Sequence, residues 1–342
     1  MVPFSNADEP LVHGGDLEAA RRLFPDAPEP FLDLSTGINP SPYPIPNLPL
    51  EAFARLPEPA ALRQLAVVAA ARYGAPSADH VVAAPGTQIL LPLVCGLVVP
   101  GGAAILTPTY SEYARAAALC GHAVAGVRDL AAIGDANLVL LANPNNPDGR
   151  LLVKADLLAI AKRLAARGGL LVVDEAFMDV GPLETSLAAD VARAGILVLR
   201  SFGKFFGLGG VRLGFAMAAP PVAARLAALL GPWAVSGPAL AVGTTALANS
   251  GWIDTSRHRL AETATRLDAI LCNAGIDIVG GTSLFRLAQT PAAGELFHHL
   301  GRAGILTRRF TEEPRWLRFG LPASEAQWQR LQLAMADFHV SR

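Results

Sequence analysis

Residues 138–177 read LVLLANPNNPDGRLLVKADLLAIAKRLAARGGLLVVDEAF. Two of its runs, LVLLA (138–142) and LLVVD (170–174), are apolar throughout apart from the closing aspartate. Between them, residues 155–167 carry apolar side chains at helical spacing. Strands apolar on both faces and joined by a helix predict a parallel sheet covered on both sides. The same alternation extends outward. HVVAA (80–84), AAILT (103–107), ILVLR (196–200) and RLGFAM (212–217) predict further strands. Residues 87–98, 110–120 and 184–193 predict helices, and ALRQLAVVAAARYG (61–74) predicts a helix stopped by Gly74. The fold class expected is α/β.

The ends of the chain differ. Residues 1–50 hold Pro25, Pro28, Pro30, Pro40, Pro42, Pro44, Pro46 and Pro49, which predicts an extended arm rather than long helices or central strands. After residue 220 longer helical patterns appear, at 238–250 and 254–274. In the second, Leu260, Leu267, Ile270 and Leu271 share a face, and Gly275 follows as a stop. The tail, 276–342, alternates short strands and helices, as a small α+β domain would. The expected organisation is an arm over 1–35 joining the small domain, a large domain over 36–230 and a small domain over 231–342.

Composition narrows the class. Of 342 residues, 52% are hydrophobic and only 17% charged, which excludes intrinsic disorder. Net charge is −1, from 28 basic and 29 acidic residues, which argues against a nucleic-acid partner. Residues 81–111 and 226–253 are uncharged and long enough to cross a bilayer, which takes about 20 apolar residues. Both are punctuated by Pro and Gly, so a buried core is expected and no membrane span. The start, MVPFSNADEP, is acidic without an apolar core, so no signal peptide is expected. Cys95, Cys120 and Cys272 are far apart, with no metal-ligand spacing. They predict no metal and a reduced, cytoplasmic setting.

In open α/β sheets, ligands bind at the carboxyl ends of the strands. Four segments follow those ends. Pro85-Gly86-Thr87-Gln88 opens a helix, offering backbone N–H groups and a hydroxyl to a phosphate, although an ordinary helix cap fits it too. Asn143-Pro144-Asn145-Asn146-Pro147-Asp148-Gly149 is a polar turn or a ligand loop. Asp174 stands at the mouth of a buried strand, where a carboxylate is costly unless a cation faces it. Lys204 lies among Phe202, Phe205, Phe206 and glycines. Apolar surroundings lower a lysine's pKa and leave a nucleophilic amine. Ser201 and Arg212 flank it and suit a phosphate. A lysine for an aldehyde carbon, an acid for a ring nitrogen and an anion cradle are the parts pyridoxal phosphate needs.

With these motifs the chain resembles the fold-type I pyridoxal-phosphate enzymes, the aspartate-aminotransferase-like family, over nearly its whole length. Within it the chain looks most like the threonine-phosphate decarboxylases of cobalamin biosynthesis, relatives of the histidinol-phosphate aminotransferases. The resemblance rests on His13-Gly14-Gly15, Ser35-Thr36-Gly37-Ile38-Asn39-Pro40, Asp174-Glu175-Ala176-Phe177 and Pro232-Trp233-Ala234-Val235-Ser236. It implies a large domain with a mainly parallel sheet between helices and a smaller α+β domain. It implies that Lys204 bonds the cofactor and Asp174 pairs with its ring nitrogen. Asn146 would meet the phenolic oxygen and Tyr110 would stack on the ring. Gly86, Thr87, Gln88, Ser201 and Arg212 would cradle the phosphate, with Gln88 acting through its backbone N–H. Arg318 matches the clamp for a substrate carboxylate, a bidentate task suited to guanidinium. Arg308, His13 and Asn39 match substrate-side positions, Arg308 and His13 being the partners expected for a substrate phosphate.

Three departures stand out. Phe177 replaces a tyrosine whose hydroxyl would reach the phenolic oxygen, leaving that contact to Asn146. Leu56 replaces a tyrosine that reaches a neighbouring subunit's cofactor, and Gly203 replaces a hydroxyl residue at the phosphate. The implied activity is decarboxylation of a phosphorylated amino acid, O-phospho-L-threonine, by a homodimer. Transamination of histidinol phosphate or an aromatic amino acid with 2-oxoglutarate is the alternative.

Overall fold

The apolar runs find one another in a single large sheet. The structure, a computed structural model, describes residues 14–338. In chain order the elements are α1 (Leu17–Leu23), β1 (Leu32–Asp33), α2 (Glu51–Ala54), α3 (Pro59–Tyr73), β2 (Val81–Ala84), α4 (Thr87–Cys95), β3 (Gly102–Leu106), α5 (Glu112–Leu119) and β4 (Ala123–Val127). There follow β5 (Leu138–Ala142), α6 (Lys154–Ala165), β6 (Leu170–Asp174), β7 (Ile196–Ser201), α7 (Phe202–Phe205), β8 (Gly214–Ala218), α8 (Pro220–Leu230), α9 (Gly237–Ala248) and α10 (Ser250–Asn273). The chain ends with β9 (Asp277–Thr282), β10 (Phe285–Gln289), α11 (Ala293–Arg302), β11 (Ile305–Leu306), β12 (Arg308–Arg309), β13 (Trp316–Phe319) and α12 (Glu325–Ala336).

Two compact units emerge. The larger holds residues 38–262 and 280–284. Its seven strands run in the order β2-β8-β7-β6-β5-β3-β4. β8 is antiparallel to both neighbours, and the strands from β7 through β6, β5 and β3 to β4 are parallel. Alternate strand residues face one helical layer. Leu138, Leu140, Val172, Leu197, Leu199 and Ala216 pack with Leu90, Leu91 and Val94 of α4 and Ala116 and Ala117 of α5. The central strands are buried along their whole length, which is why their sequences do not alternate. Register brings the functional ends level: Ala142 pairs with Asp174, Asp174 with Leu199, and Ser201 with Gly214.

The smaller unit takes residues 14–37, 263–279 and 285–338 of the described chain. In it β13 lies between β10 and β12, antiparallel to both, and β1 pairs parallel with β11. The boundary thus lies not at 230/231 but at 262/263, and residues 36–37 fall with the smaller unit. The physical reason is α9. It buries Ala239, Leu240, Val242, Ala246 and Leu247, and its Gly243 lies so close to α3 and Leu213 that an added Cβ would sit 2.5 Å from Leu213 and 3.1 Å from Leu65.

The helix expected over 184–193 is replaced by short 3-10 turns at Leu183–Thr185 and Ala188–Asp190. Glu175 is the cause. Its Oε2 accepts from Ser186 Oγ at 2.6 Å and its Oε1 from Leu187 N at 2.7 Å, drawing away groups that a helix would use. Elements not expected include the short α1, β1 and α2 near the start, α8, and the edge strand β4, whose Ala123–Gly126 are exposed.

Candidate active site

The carboxyl ends of β5, β6 and β7 deliver the larger unit's candidate residues to one place. Asp174 closes β6 and is buried. Its Oδ1 accepts from Ala176 N at 3.0 Å and its Oδ2 from Tyr113 Oη at 2.8 Å. Burial raises its pKa, while the Tyr113 and Ala176 hydrogen bonds and the Lys204 charge act the other way.

Lys204 sits in α7, the single turn after β7. Its Nζ stands 6.0 Å from the centroid of the Phe177 ring, on the cation–π face. The turn is tied down by Asn39. The Asn39 backbone N–H donates to Lys204 O at 2.9 Å, and its Nδ2 donates to Phe205 O at 2.8 Å. Asn39, expected on the substrate side, is buried and anchors the lysine's backbone. Phe202 and Phe206 stack at 4.5 Å beneath the turn, and Phe205 packs edge-on to Phe206.

The phosphate cradle has the features an anion needs. Gly86 caps α4 with φ +87, in the left-handed region that favours glycine, and no side chain caps that helix. A Cβ on Gly86 would sit 2.7 Å from Arg212 Nη2, so the guanidinium lies directly over the turn. Arg212 is exposed and its Nη1 donates to Gly209 O at 3.0 Å. Ser201 ends β7 beside Gly214, whose own added Cβ would meet Thr87 N at 2.7 Å. Uncapped N–H groups, a hydroxyl and a guanidinium at one glycine turn fit a phosphoester.

The 143–149 loop is built from within. Asn143 Oδ1 accepts from Leu152 N at 2.9 Å. Asn145 bonds Pro108 O, Asp148 Oδ1 and Thr109 Oγ1 at 2.7–2.9 Å. Both are buried in holding the loop, and Asn146 between them and Pro147 is half-buried. Tyr110 is oriented through Gln88: its Oη donates to Gln88 Oε1 at 3.0 Å, and Gln88 Nε2 donates to Glu112 Oε2 at 2.6 Å. Arg115 Nη1 closes the chain at 3.0 Å. Gln88 therefore acts through its side chain, which was not expected, and Glu112 joins the site unforeseen. Gln88→Leu should weaken pyridoxal-phosphate binding about tenfold, the scale of one hydrogen bond. A fluorescence titration measures this, with thermal stability held within a few degrees.

In the smaller unit, Arg318 on β13 pairs in register with Arg308 on β12. Arg318 is buried and its Nη2 donates to Ser35 O at 2.8 Å, while Ser35 Oγ donates to Asp33. Burial and then the Arg308 charge depress the Arg318 pKa, opposed by Asp33. Two guanidiniums held side by side favour an anion between them. His13 lies outside the described residues. Among the described residues no cluster of side chains suits a metal ion, and no helix is long and apolar enough to cross a membrane.

Tyr113 is the other residue the sequence left unsingled. Its signal is the spacing of three from Tyr110: Tyr110 lies just before α5, Tyr113 is on the helix's first turn, and the Tyr113 N–H donates to Tyr110 O at 3.2 Å. The two rings meet edge-on at 5.6 Å.

Known proteins share the chain's sequence pattern and fold. The family model for aminotransferase class I and II matches residues 53–332. A threonine-phosphate decarboxylase of Sinorhizobium sp. is 45% identical, covering 97% of this chain and 99% of its own. One of Pseudomonas aeruginosa is 42% identical, covering 96% and 98%. Among solved structures, a Sinorhizobium meliloti histidinol-phosphate aminotransferase in complex with pyridoxal 5′-phosphate superposes with a TM-score of 0.81 at 21% identity, covering 98% of this chain and 97% of that one. The L-threonine-O-3-phosphate decarboxylase of Porphyromonas gingivalis gives 0.74 at 21%, covering 89% and 98%. The lysine, the strand-end aspartate and the glycine cradle thus stand on a shared fold, and the chain belongs to the aminotransferase class I and II family.

Proposed function

We propose that the protein is a pyridoxal-phosphate-dependent decarboxylase of O-phospho-L-threonine, forming 1-amino-2-propanol phosphate for cobalamin biosynthesis. The observation that carries this reading is the 45% identity, over nearly the whole of both chains, to a threonine-phosphate decarboxylase. Bound pyridoxal phosphate supplies an electron sink for the pair released when a bond to the substrate's α-carbon breaks.

The chain's residues divide the remaining work. Lys204 holds the cofactor and afterwards moves a proton to the α-carbon. Asp174 keeps a proton on the ring nitrogen, and Tyr110 stacks on the ring. Gly86, Thr87, Ser201 and Arg212 bind the phosphoester. Asn146 meets the phenolic oxygen while Phe177, which has no hydroxyl, packs beside Lys204. Arg318 and Arg308 are assigned to the substrate's carboxylate and phosphate. The carboxylate leaves as carbon dioxide, its bonding pair stays with the α-carbon, and one proton replaces it.

The test is product identification. The loaded protein, given O-phospho-L-threonine and no oxo acid, should release the amine over many turnovers, read by mass spectrometry. Turnover only with histidinol phosphate and 2-oxoglutarate would move the chain to the transaminating branch. Arg308→Gln should lower kcat/KM for O-phospho-L-threonine about 10- to 100-fold, the loss of one charged hydrogen bond, and change that for L-threonine little. Equal losses on both substrates would remove Arg308 from phosphate recognition.

A homodimer and a cytoplasmic setting belong to the same reading. Leu50, Phe53 and Leu56 around α2 and Trp233 are more than half exposed, an apolar surface that suits a second copy. The three cysteines are unbridged. Light scattering after gel filtration tests the dimer.

A further inference from the structure

Tyr113 has no task in the chemistry above, yet it makes the one side-chain hydrogen bond to Asp174 found among the described residues. We infer that Tyr113 is a positioning residue for the cofactor's ring nitrogen: its hydroxyl, donating to Asp174 Oδ2, fixes the carboxylate that faces that nitrogen. The inference rests on the reading that Asp174 meets the ring nitrogen.

Asp174 is a carboxylate at the end of a strand that is buried along its whole length. Such a group holds one orientation only if its oxygens are engaged. Ala176 N–H, fixed by the backbone, takes Oδ1, and Tyr113 takes Oδ2. An ionised carboxylate oxygen offers two lone pairs, so Oδ2 keeps one for a second donor while Tyr113 sets its plane.

The phenol suits this task. It is fully buried, and burial and the Asp174 charge push its pKa well above the ordinary value. It therefore stays a donor throughout the working range. A donor that faces a carboxylate favours the ionised acid, and an ionised acid keeps a proton on a pyridine nitrogen. The two tyrosines, Tyr110 just before α5 and Tyr113 on its first turn, thus differ in task. Gln88 orients Tyr110 for stacking, and Tyr113 reaches past it, edge-on, to Asp174.

The experiment compares two cofactors on the full chain, stripped and reloaded. One is pyridoxal phosphate. The other is its analogue with carbon in place of the ring nitrogen. The wild type should bind the first more tightly, because only the first can meet Asp174. Tyr113→Phe, which removes one oxygen atom, should shrink that preference about tenfold or more, the worth of a charged hydrogen bond. Analogue binding should stay within twofold.

An equal loss for both ligands would make Tyr113 a packing residue and overturn the inference. An unchanged preference would overturn it as well. A wild type with no preference would remove the Asp174 reading and the inference with it. Tyr113→Leu carries the same ratio if the phenylalanine variant does not fold, since a uniform loss of stability cancels between the two ligands.

Discussion

Lys204→Ala leaves a folded protein that shows no absorbance band from a lysine-bound cofactor and decarboxylates O-phospho-L-threonine roughly 10⁴-fold more slowly, the upper end for a positioned proton-transfer group. The size follows from two losses at one atom. The variant has neither the amine that bonds the cofactor nor the acid that delivers a proton to the α-carbon. Folding should survive, because the turn that carries Lys204 is held without its side chain. Asn39 bonds the backbone of Lys204 and Phe205, and Phe202, Phe206 and Trp252 stack beneath. The spectrum and the rate are read on the same sample, with a urea transition as the control. A surviving band, or a rate within tenfold of the wild type, would remove Lys204 from the chemistry.

The sequence already carried much of this site, and the reason is physical. A central parallel strand must be apolar on both faces, so LVLLA, LLVVD and ILVLR announce themselves, and whatever polar group follows them stands at a strand mouth. Asp174, Lys204 and the Gly86 turn were visible on that ground. Tyr113, Glu112 and the Gln88 side chain were not. Their roles depend on which faces of α4 and α5 meet, and that is settled by tertiary packing. Asn39 was visible as a motif, but its contact to the backbone of Lys204 spans 165 residues and leaves no local pattern. The absent helix at 184–193 has the same origin. Its groups bond Glu175 on another element, and propensity along the segment does not register that. The edge strand β4 reads AVAGV with only Val127 buried, a short glycine-containing run whose place in the sheet is set by its pairing with β3.

Arg200→Met should cost about 3–5 kcal/mol of stability at pH 8, the range for breaking a buried ion pair from one side. Arg200 follows the same logic one layer below the site. Its side chain is 1% exposed, with Nε 3.3 Å from Glu175 Oε2 and Nη1 3.9 Å from Asp179 Oδ2, both carboxylates being buried as well. Its guanidinium also lies 4.7 Å over the Tyr73 ring. Burial already holds the Glu175 carboxyl above the ordinary carboxylate range, and Arg200 is the first force opposing it. Without Arg200 that value rises further.

The sign then follows. A carboxyl whose folded pKa lies above its unfolded value contributes stability that is fully present below the unfolded pKa, about 4.3. That contribution is lost as pH rises through the folded value. The deficit of Arg200→Met should therefore be smallest near pH 5 and grow toward pH 8, where the wild type is flatter. Urea transitions at the two pH values measure it. Glu175→Gln combined with Arg200→Met should recover much of the loss, because the uncompensated charge has gone while Ser186 can still bond the amide. A deficit equal at both pH values would show that packing over Tyr73, rather than charge, is what Arg200 supplies. Glu175 and Arg200 are the chain neighbours of Asp174 and Ser201. The same variant should thus loosen the cofactor's two ends together, its ring acid and its phosphate cradle, even where the fold survives.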